Sequence, residues 1–282
     1  ELYAKRVEIK KEMLLYKQRL ESDPKNKSLI ANVARLDTVQ HSTKILLNSQ
    51  YGAMANEYFK YYDPQIAEGV TLTGQTVIKT AEKIVNATIS KFLGESEVKD
   101  RVIAIDTDSV YITAKDIIDK YKPNNPVEFL DKIGTKLIEP AFETGFGEFA
   151  DRTNAYSERT VMAREVIADR GIWTAKKRYI LNVHNNEGVQ YAEPKIKMMG
   201  IEAIKSSTPQ PCREAMKALF GVIMTGSEEN TQNAIALFKE HFKTLRPEEI
   251  AFPRGVSDIT KWANPDTVYN KGTPMHVRAS LL

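Results

Sequence analysis

Three observations predict an α+β fold. Residues 2–20 contain no Gly or Pro and begin a series of long helical segments. Residues 101–113 hold two β-rich runs around a short turn, and residues 159–199 are strand-like, most clearly at Tyr179–Val183. Residues 210–224 and 228–244 return to a helical pattern. Helices and strands therefore follow one another in blocks, which is typical of the α+β class.

Length and composition exclude several classes of protein. The 282 residues, with 42% apolar content, suffice for a packed core and smaller attached domains. No apolar run approaches the ~20 residues of a membrane-spanning helix, and the charged N-terminus does not resemble a signal peptide. Cys212 is the only cysteine, so no internal disulfide can form, which suits a reducing cytoplasm. Because the sequence begins at Glu1, we expect it to be part of a longer protein.

The N-terminal segments predict a helical hairpin. A helix over residues 2–20 and another over about 29–58 are separated by residues 21–28, whose composition is that of a turn. Asp63-Pro64 then interrupts the chain. A third helix is predicted over about residues 65–92, where apolar residues recur on one face.

Basic and polar residues share faces of this hairpin. Arg6 and Lys10 are four residues apart, and Lys44, Asn48 and Tyr51 follow at i, i+4 and i+7 on the second helix. At 1.5 Å per residue, Arg6 and Lys44 lie at similar distances of roughly 28 Å from the turn. Such a cluster could bind a triphosphate, whereas a solvated charged face would show the same spacing.

Two further patterns could carry chemistry. Asp106-Thr-Asp-Ser109 lies between two β-rich runs, where two carboxylates could bind Mg²⁺ or could satisfy local N–H groups of a turn. Lys176-Lys-Arg-Tyr179 enters a strand and could follow a phosphate backbone, or protect a strand edge. Cys212 has no catalytic partner in the sequence. No metal-ligand spacing occurs among the histidines, which are His41, His184, His241 and His276.

In order, these motifs resemble those of family B DNA polymerases. Lys44-Ile-Leu-Leu-Asn-Ser-Gln-Tyr-Gly52 is similar to the fingers motif Lys-x₃-Asn-Ser-x-Tyr-Gly. Asp106–Ser109 resembles the palm motif, and Lys176–Tyr179 the primer–template motif. Residues 191–195 and 200–209 are similar to the palm–thumb junction of the replicative polymerases of T-even-type bacteriophages.

The resemblance implies three domains. We expect fingers formed by a helical hairpin at residues 1–57. We expect a palm at 58–200, with an antiparallel sheet packed on helices and its upstream strand missing. A mainly helical, partial thumb is expected at 201–282. Chain 1–282 contains no Asp-x-x-Ser-Leu-Tyr-Pro-Ser motif, which carries the family's other metal-binding carboxylate.

The resemblance also implies a role for each motif residue. Arg6, Lys10 and Lys44 are expected to bind the triphosphate of the incoming nucleotide, with support from Asn48, and Lys44 counts among the catalytic residues. Tyr51 is expected beneath the nascent base pair, beside Gly52. Asp108 is the expected catalytic metal ligand, and Asp106 is expected at the edge of the metal site. The residues expected to follow the duplex are Lys176, Lys177, Arg178 and Tyr179.

The implied reaction is template-directed addition of deoxynucleoside triphosphates to a primer 3′-OH, with two Mg²⁺ ions in the complete enzyme. The implied partners are primer–template DNA, the nucleotide, a sliding clamp, and an upstream polymerase segment that carries the other aspartate and an exonuclease. No membrane partner is expected. The implied setting is viral DNA replication in the cytoplasm of a bacterial host.

Departures from the family pattern leave alternatives open. Asn185 stands where the T-even-type enzymes carry Asp, and Glu165 matches a further palm carboxylate. A protein-primed or translesion relative, or a non-catalytic primer–template-binding half of a split polymerase, would share the motifs that are present. With one carboxylate motif absent, we expect the isolated chain to bind primer–template but to extend it poorly.

Overall fold

A computed structural model describes residues 1–256, 258–262, 264 and 273–280. Long helices and two small antiparallel sheets confirm the α+β class. The chain divides into two compact units. The first contains residues 1–170 and 182–195, and the second contains residues 171–181 and those from 196 onward.

The predicted helical hairpin is present. Helix α1 spans Leu2–Ser22 and packs along α2, which spans Lys27–Met54. Asn26 caps α2 by accepting hydrogen bonds from the main-chain N–H groups of Ser28 and Leu29. Met13 and Leu36 are the buried side chains of the two helices, and each lies nine residues from its helix end at the connecting turn. Their matched positions place the apolar seam midway along the hairpin.

Helix α3, Pro64–Leu93, forms the centre of the first unit. Asp63 caps it by accepting from the N–H groups of Gln65 and Ile66, and Pro64 occupies its first position. Gly94 ends it in the left-handed region, with φ 70°. Apart from Ala67, its buried residues lie from Ile78 onward, where Ala81, Val85 and Ile89 enter the core.

A β-hairpin and further helices pack on α3. Strands β1, Val102–Asp106, and β2, Ser109–Ile112, pair antiparallel. They precede α4 (Lys115–Tyr121), α5 (Pro126–Ile133), a π-helical turn (Gly134–Ile138) and α6 (Glu139–Arg152). The helical segment of residues 126–152 thus contains a π-helical turn, and the seven-residue α4 was not predicted. The shared core includes Ile89, Ile117, Phe142 and Phe146.

The strand-like region forms a three-stranded antiparallel sheet of order β3-β4-β5. The strands are β3, Val166–Ala175, β4, Arg178–Asn186, and β5, Val189–Met199. Two tight turns join them. The Lys176-Lys177 turn lies in the second unit and the Glu187-Gly188 turn in the first.

Beyond β5, the described residues of the second unit are mainly helical. A 3₁₀ turn at Glu202–Ile204 leads to α7 (Gln210–Thr225), α8 (Glu228–Thr244) and α9 (Pro247–Ile250). A 3₁₀ turn at Ile259–Trp262 and α10 (Met275–Ser280) follow. The core of this unit gathers Ile180, Ile201, Ala203 and Met224. Residues 257, 263, 265–272 and 281–282 of the predicted thumb lie outside the described residues, and the three domain boundaries remain predictions.

None of the helices in the described part of the chain has the length and apolar character needed to cross a membrane.

Candidate functional site

The predicted carboxylate pair lies at the tip of the β1–β2 hairpin. Asp106 pairs with Ser109 as the last strand residues, so only Thr107 and Asp108 form the turn. The turn predicted over Asp106–Ser109 is therefore shorter in the structure, since only Thr107 and Asp108 lie outside the strands. Asp108 is exposed and Asp106 is half-buried, so the two carboxylates differ in their access to solvent.

The backbone of this turn is strained. The N–H of Asp108 donates to the carbonyl of Asp106 at 2.6 Å, an i to i+2 bond that closes a γ-turn, and Thr107 has φ 54°. A β-branched residue rarely adopts a positive φ. Strain of this kind costs of order 1–3 kcal/mol and concentrates at functional sites. The tight turn brings the Cα atoms of Asp106 and Asp108 close together.

The hairpin is fixed at its base by a buried arginine. Arg101, which is 3% exposed, donates from Nη2 to both carboxylate oxygens of Glu95 at 2.7 and 2.8 Å. The same nitrogen lies 3.0 Å from Asp116 Oδ2. Its main-chain N–H donates to Asn86 Oδ1, and its carbonyl accepts from the N–H of Thr113. These contacts fasten both strands to α3 and α4.

This cluster shifts the pKa of its central carboxyl group. Hydrogen bonds from Lys99 and then from Arg101 lower the pKa of Glu95 to about 2. Glu95 therefore stays ionised at any pH at which the protein is expected to function. Residues 86, 95, 101 and 116 show no common period, so this cluster could not be predicted from the sequence.

A β-bulge lies between the cluster and the tip. Val102 pairs with Ile112 and Ala104 pairs with Tyr111, so Ile103 is an extra residue in β1. Bulges bend a strand and change the direction of the side chains beyond it. The bulge thus contributes to the position of Asp106.

The predicted triphosphate residues lie at corresponding heights on the helical hairpin. Arg6 stands 16 residues before the end of α1 at Ser22, and Lys44 stands 17 residues after the start of α2 at Lys27. In an antiparallel pair this places both about 25 Å from the turn. Lys44 is exposed and Arg6 is half-buried.

The remaining residues of that set have different surroundings. Asn48 and Tyr51 are exposed on the same face of α2 as Lys44, and Tyr51 is 38% exposed. Lys10 differs, because its Nζ forms an ion pair at 2.5 Å with Glu187 in the β4–β5 turn. The sequence analysis gave no indication of this contact between residues 177 positions apart.

The basic motif lies at the β3–β4 turn of the second unit and enters β4 at Arg178, as predicted. Lys176 and Lys177 form the turn and are exposed, with φ 62° at Lys177. Arg178 forms an ion pair with Glu202, and Tyr179 is 5% exposed. The side chains of Lys176 and Lys177 are therefore exposed at the turn, whereas Arg178 is paired with Glu202 and Tyr179 is buried.

Gly200 makes the position of this turn possible. Its φ is 64°, and a Cβ atom there would lie 2.2 Å from the carbonyl oxygen of Lys177. A side chain at residue 200 would collide with the main chain of the turn. The sequence analysis placed Gly200 in a motif without finding this role.

The hydrogen bonds of Asn185 explain why asparagine rather than aspartate suits this position. It is 5% exposed; its Oδ1 accepts from Arg164 Nη1 at 2.7 Å and from the N–H of Gly188. Its Nδ2 donates to Gln190 Oε1 at 3.2 Å, which an aspartate could not do. Glu165 is exposed, and its carbonyl accepts from the N–H of Glu187.

The candidate metal ligands are the carboxylates of Asp106 and Asp108. Among the described residues, no group of three His, Cys, Asp or Glu side chains is arranged to hold a metal ion. Asp106 and Asp108 are two hard oxygen donors on a rigid turn, which fits Mg²⁺ with its remaining ligands taken from water and substrate phosphates.

Comparisons with known proteins agree with the motifs. The family model described as DNA polymerase family B matches residues 1–262. The chain is 36% identical over 258 residues to the DNA-directed DNA polymerase of Escherichia phage RB69, covering 86% of this chain and 28% of that protein. It is 34% identical over 259 residues to that of Enterobacteria phage T4, covering 87% and 29%.

A more distant relative is DNA polymerase 1 of Aeropyrum pernix, with 26% identity over 254 residues, covering 87% of this chain and 22% of that protein. The chain thus spans less than a third of the length of these relatives.

Proposed function

The chain belongs to DNA polymerase family B, and from that membership we propose that it supplies the nucleotide-binding helices and the metal-binding hairpin of a template-directed DNA polymerase. The observation that carries the proposal is the strained Asp106-Thr107-Asp108 turn on a hairpin fastened by buried Arg101. A rigid platform for two carboxylates is the arrangement that nucleotidyl transfer requires.

Residues of the helical hairpin bind the triphosphate in this proposal. Arg6, Lys10 and Lys44 neutralise phosphate charge, and the amide of Asn48 fixes the orientation of the phosphates. Tyr51, one turn further along α2, lies beneath the nascent base pair. The exposure of Lys44, Asn48 and Tyr51 leaves their polar groups open to a ligand.

Asp108 is the direct metal ligand of the hairpin, and Asp106 is at its edge. Mg²⁺, when bound, supplies positive charge that stabilises the phosphate oxygens of the transition state. In the reaction, the primer 3′-oxygen forms a bond to the α-phosphorus of the nucleotide, and the bond to pyrophosphate breaks. In this proposal the carboxylate of the Asp-x-x-Ser-Leu-Tyr-Pro-Ser motif completes the two-metal site, and another polypeptide segment supplies it, because that motif does not occur in residues 1–282.

The β3–β4 turn contributes to DNA binding in this proposal. Lys176 and Lys177 bind backbone phosphates near the primer end. Arg178 is held by its ion pair with Glu202, and the buried side chain of Tyr179 anchors the start of β4 next to the turn. Gly200 permits the close contact that keeps the lysines in place.

The relatives support a proposal for the wider setting. The two phage proteins are named DNA-directed DNA polymerases, and we place this chain in viral DNA replication within the cytoplasm of a bacterial host. Its partners are primer–template DNA, deoxynucleoside triphosphates, and a polymerase segment that carries the Asp-x-x-Ser-Leu-Tyr-Pro-Ser motif and an exonuclease. A sliding clamp completes the replicating assembly.

A second candidate function is primer–template binding without catalysis. The observation that favours it is the absence of the Asp-x-x-Ser-Leu-Tyr-Pro-Ser motif from the sequence. Such a protein would bind duplex DNA through the β3–β4 turn, and would have no need of a triphosphate site on α1 and α2. Nucleotide binding therefore separates the two candidates.

Replacing Lys44 tests the proposal. We expect Lys44→Ala to weaken binding of a matched deoxynucleoside triphosphate to the chain–primer–template complex by about 10- to 100-fold, because a charge-assisted contact is lost. The dissociation constant for primer–template should stay unchanged. Equilibrium titrations of nucleotide and of labelled duplex, both with Mg²⁺, measure the two affinities.

Lys27→Ala is the matched control, since Lys27 is an exposed lysine at the other end of the same helix. It should leave both affinities unchanged. If Lys44→Ala lowered only the affinity for duplex DNA, α2 would be a DNA-binding helix and the proposed placement of the nucleotide would be wrong.

A further inference from the structure

One face of α1 lies against the edge strand of the three-stranded sheet. Among the described strands, the order β3-β4-β5 leaves one side of β5 without a partner strand. Gln18 covers it, donating to the carbonyl of Gln190 at 3.4 Å and accepting from the N–H of the same residue at 2.8 Å. The N–H of Ala192, the next outward-facing group, donates to Glu21 at 3.5 Å. The helix thus replaces a missing neighbouring strand.

Two ion pairs lie at the ends of this contact. Glu21 pairs with Lys195, and Lys10 pairs with Glu187. Lys10 and Glu21 are 11 residues apart, which is about three helical turns, so they share one face of α1. The charges alternate, because α1 supplies the cation at one end and the anion at the other.

Glu187 is held in place by its own turn. Its φ is 52°, its N–H donates to the carbonyl of Glu165 at 2.5 Å, and buried Asn185 binds the N–H of Gly188. Arg164 in turn donates to Asn185. A non-glycine residue at positive φ in a braced turn has a fixed side-chain direction. In this structure that direction leads to Lys10 Nζ.

These contacts place a carboxylate on a lysine that is assigned to the nucleotide. We propose that Glu187 is a positioning residue that binds Lys10 in place of a triphosphate, so that contact of α1 with β5 and nucleotide binding compete for the same ammonium group. The proposal rests on the proposed function, because it requires Lys10 to be a triphosphate ligand. Through this competition Glu187 sets how much nucleotide is needed to release α1 from the sheet edge.

The size of the effect follows from the exposure of the pair. The side chains of Lys10 and Glu187 are 34% and 25% exposed, so the ion pair is screened by solvent. Exposed pairs of this kind change an equilibrium by about two- to five-fold. We expect Glu187→Gln to tighten triphosphate binding by that factor.

The experiment is a calorimetric titration of the full chain with inorganic triphosphate and Mg²⁺. Glu193→Gln is the matched control, since Glu193 is an exposed carboxylate of β5, six residues beyond Glu187, and forms no ion pair within the described residues. It corrects for the general gain in anion affinity when one negative charge is removed. The gain in triphosphate affinity should be larger for Glu187→Gln than for Glu193→Gln. In a Lys10→Met background this difference should vanish.

Glu187→Asp separates contact from charge. It retains the carboxylate but shortens the side chain by one methylene, so it should also tighten binding relative to wild type. Equal affinities for wild type, Glu187→Gln and Glu193→Gln would overturn the proposal. A Glu187→Gln effect that persisted without Lys10 would overturn it as well.

Lys44→Met distinguishes failure of this inference from failure of the proposed function. If Lys44→Met lowered triphosphate affinity while Glu187→Gln had no effect, the nucleotide site would stand and the competition would be refuted. If neither wild type nor any variant bound triphosphate, the proposed function and the competition would both be refuted.

Discussion

Thr107 shows how far a single residue could be predicted. The sequence predicted a turn at Asp106–Ser109, because Asp and Ser favour turns between β-rich runs. It did not predict the positive φ of Thr107 or the 2.6 Å hydrogen bond across it. Thr rarely adopts that conformation, so its local preference predicts a negative φ. The anchoring of the hairpin by distant residues accounts for the positive φ that the structure shows.

The two aspartates of this turn should differ in catalysis. We expect Asp108→Asn to lower the rate by several powers of ten, because it removes a direct metal ligand where negative charge develops. Asp106→Asn should cost about 10- to 100-fold, by analogy with the loss of groups that support a ligand. Single-turnover incorporation by the chain, assembled with a segment that carries the upstream carboxylate motif, measures both. Equal losses, or a larger loss at Asp106, would assign the metal ligand to the other residue.

Glu95 should make stability depend on pH. Its pKa is lowered to about 2 in the folded chain, from an ordinary value of 4.5. A lowered folded-state pKa contributes stability that is present above pH 4.5 and is lost as the pH falls towards 2. Glu95→Gln should therefore be less stable than wild type at pH 7, and the difference should shrink through that window.

Urea unfolding midpoints at several pH values measure this difference. Glu97→Gln, a change of an exposed carboxylate two residues along the chain, is the control and should follow the wild-type profile. A Glu95→Gln deficit that stayed constant down to pH 3 would show that the carboxylate charge does not stabilise the cluster.

At the scale of elements, the sequence predicted the long helices well. Asn26, Asp63-Pro64 and Gly94 are strong capping signals, and the structure begins or ends helices at these positions. The π-helical turn at Gly134–Ile138 had no such signal. A Cβ at Gly134 would lie 2.9 Å from Arg164 Cγ, so the geometry there depends on a residue 30 positions away.

Two glycines of α6 should respond in opposite directions to the same change. Gly147 has open space beyond its Cα, so Gly147→Ala should stabilise the chain by about 0.5–1 kcal/mol through helix propensity. At Gly145 a Cβ would lie 2.4 Å from Ile84 Cδ1 of α3. The steric clash should cost about 1–3 kcal/mol, which exceeds the gain from helix propensity, so Gly145→Ala should destabilise the chain.

Urea unfolding of both variants measures the comparison, and each glycine variant serves as the control for the other. If Gly145→Ala were as stabilising as Gly147→Ala, the contact between α3 and α6 would be looser than the structure shows.

For the whole molecule, composition and block order predicted the α+β class, and the structure confirms it. Distant side-chain pairs could not be predicted in this way. Lys10 meets Glu187 across 177 residues, and Glu21 meets Lys195 across 174. Such contacts follow from how the elements pack, for which a single sequence provides no periodic signal. The candidate site was found through motifs, whereas the groups that hold it in place were found only in the structure.

The central claim is that this chain provides Asp108 to a polymerase site that needs one more carboxylate. The most direct measurement is Mg²⁺-dependent primer extension by the 282-residue chain, alone and after mixing with a separate segment that carries the Asp-x-x-Ser-Leu-Tyr-Pro-Ser motif. We predict that the chain alone binds primer–template with little extension, that the added segment restores extension, and that Asp108→Asn abolishes the restored activity. Robust extension by the chain alone, or restored extension that survives Asp108→Asn, would contradict the account.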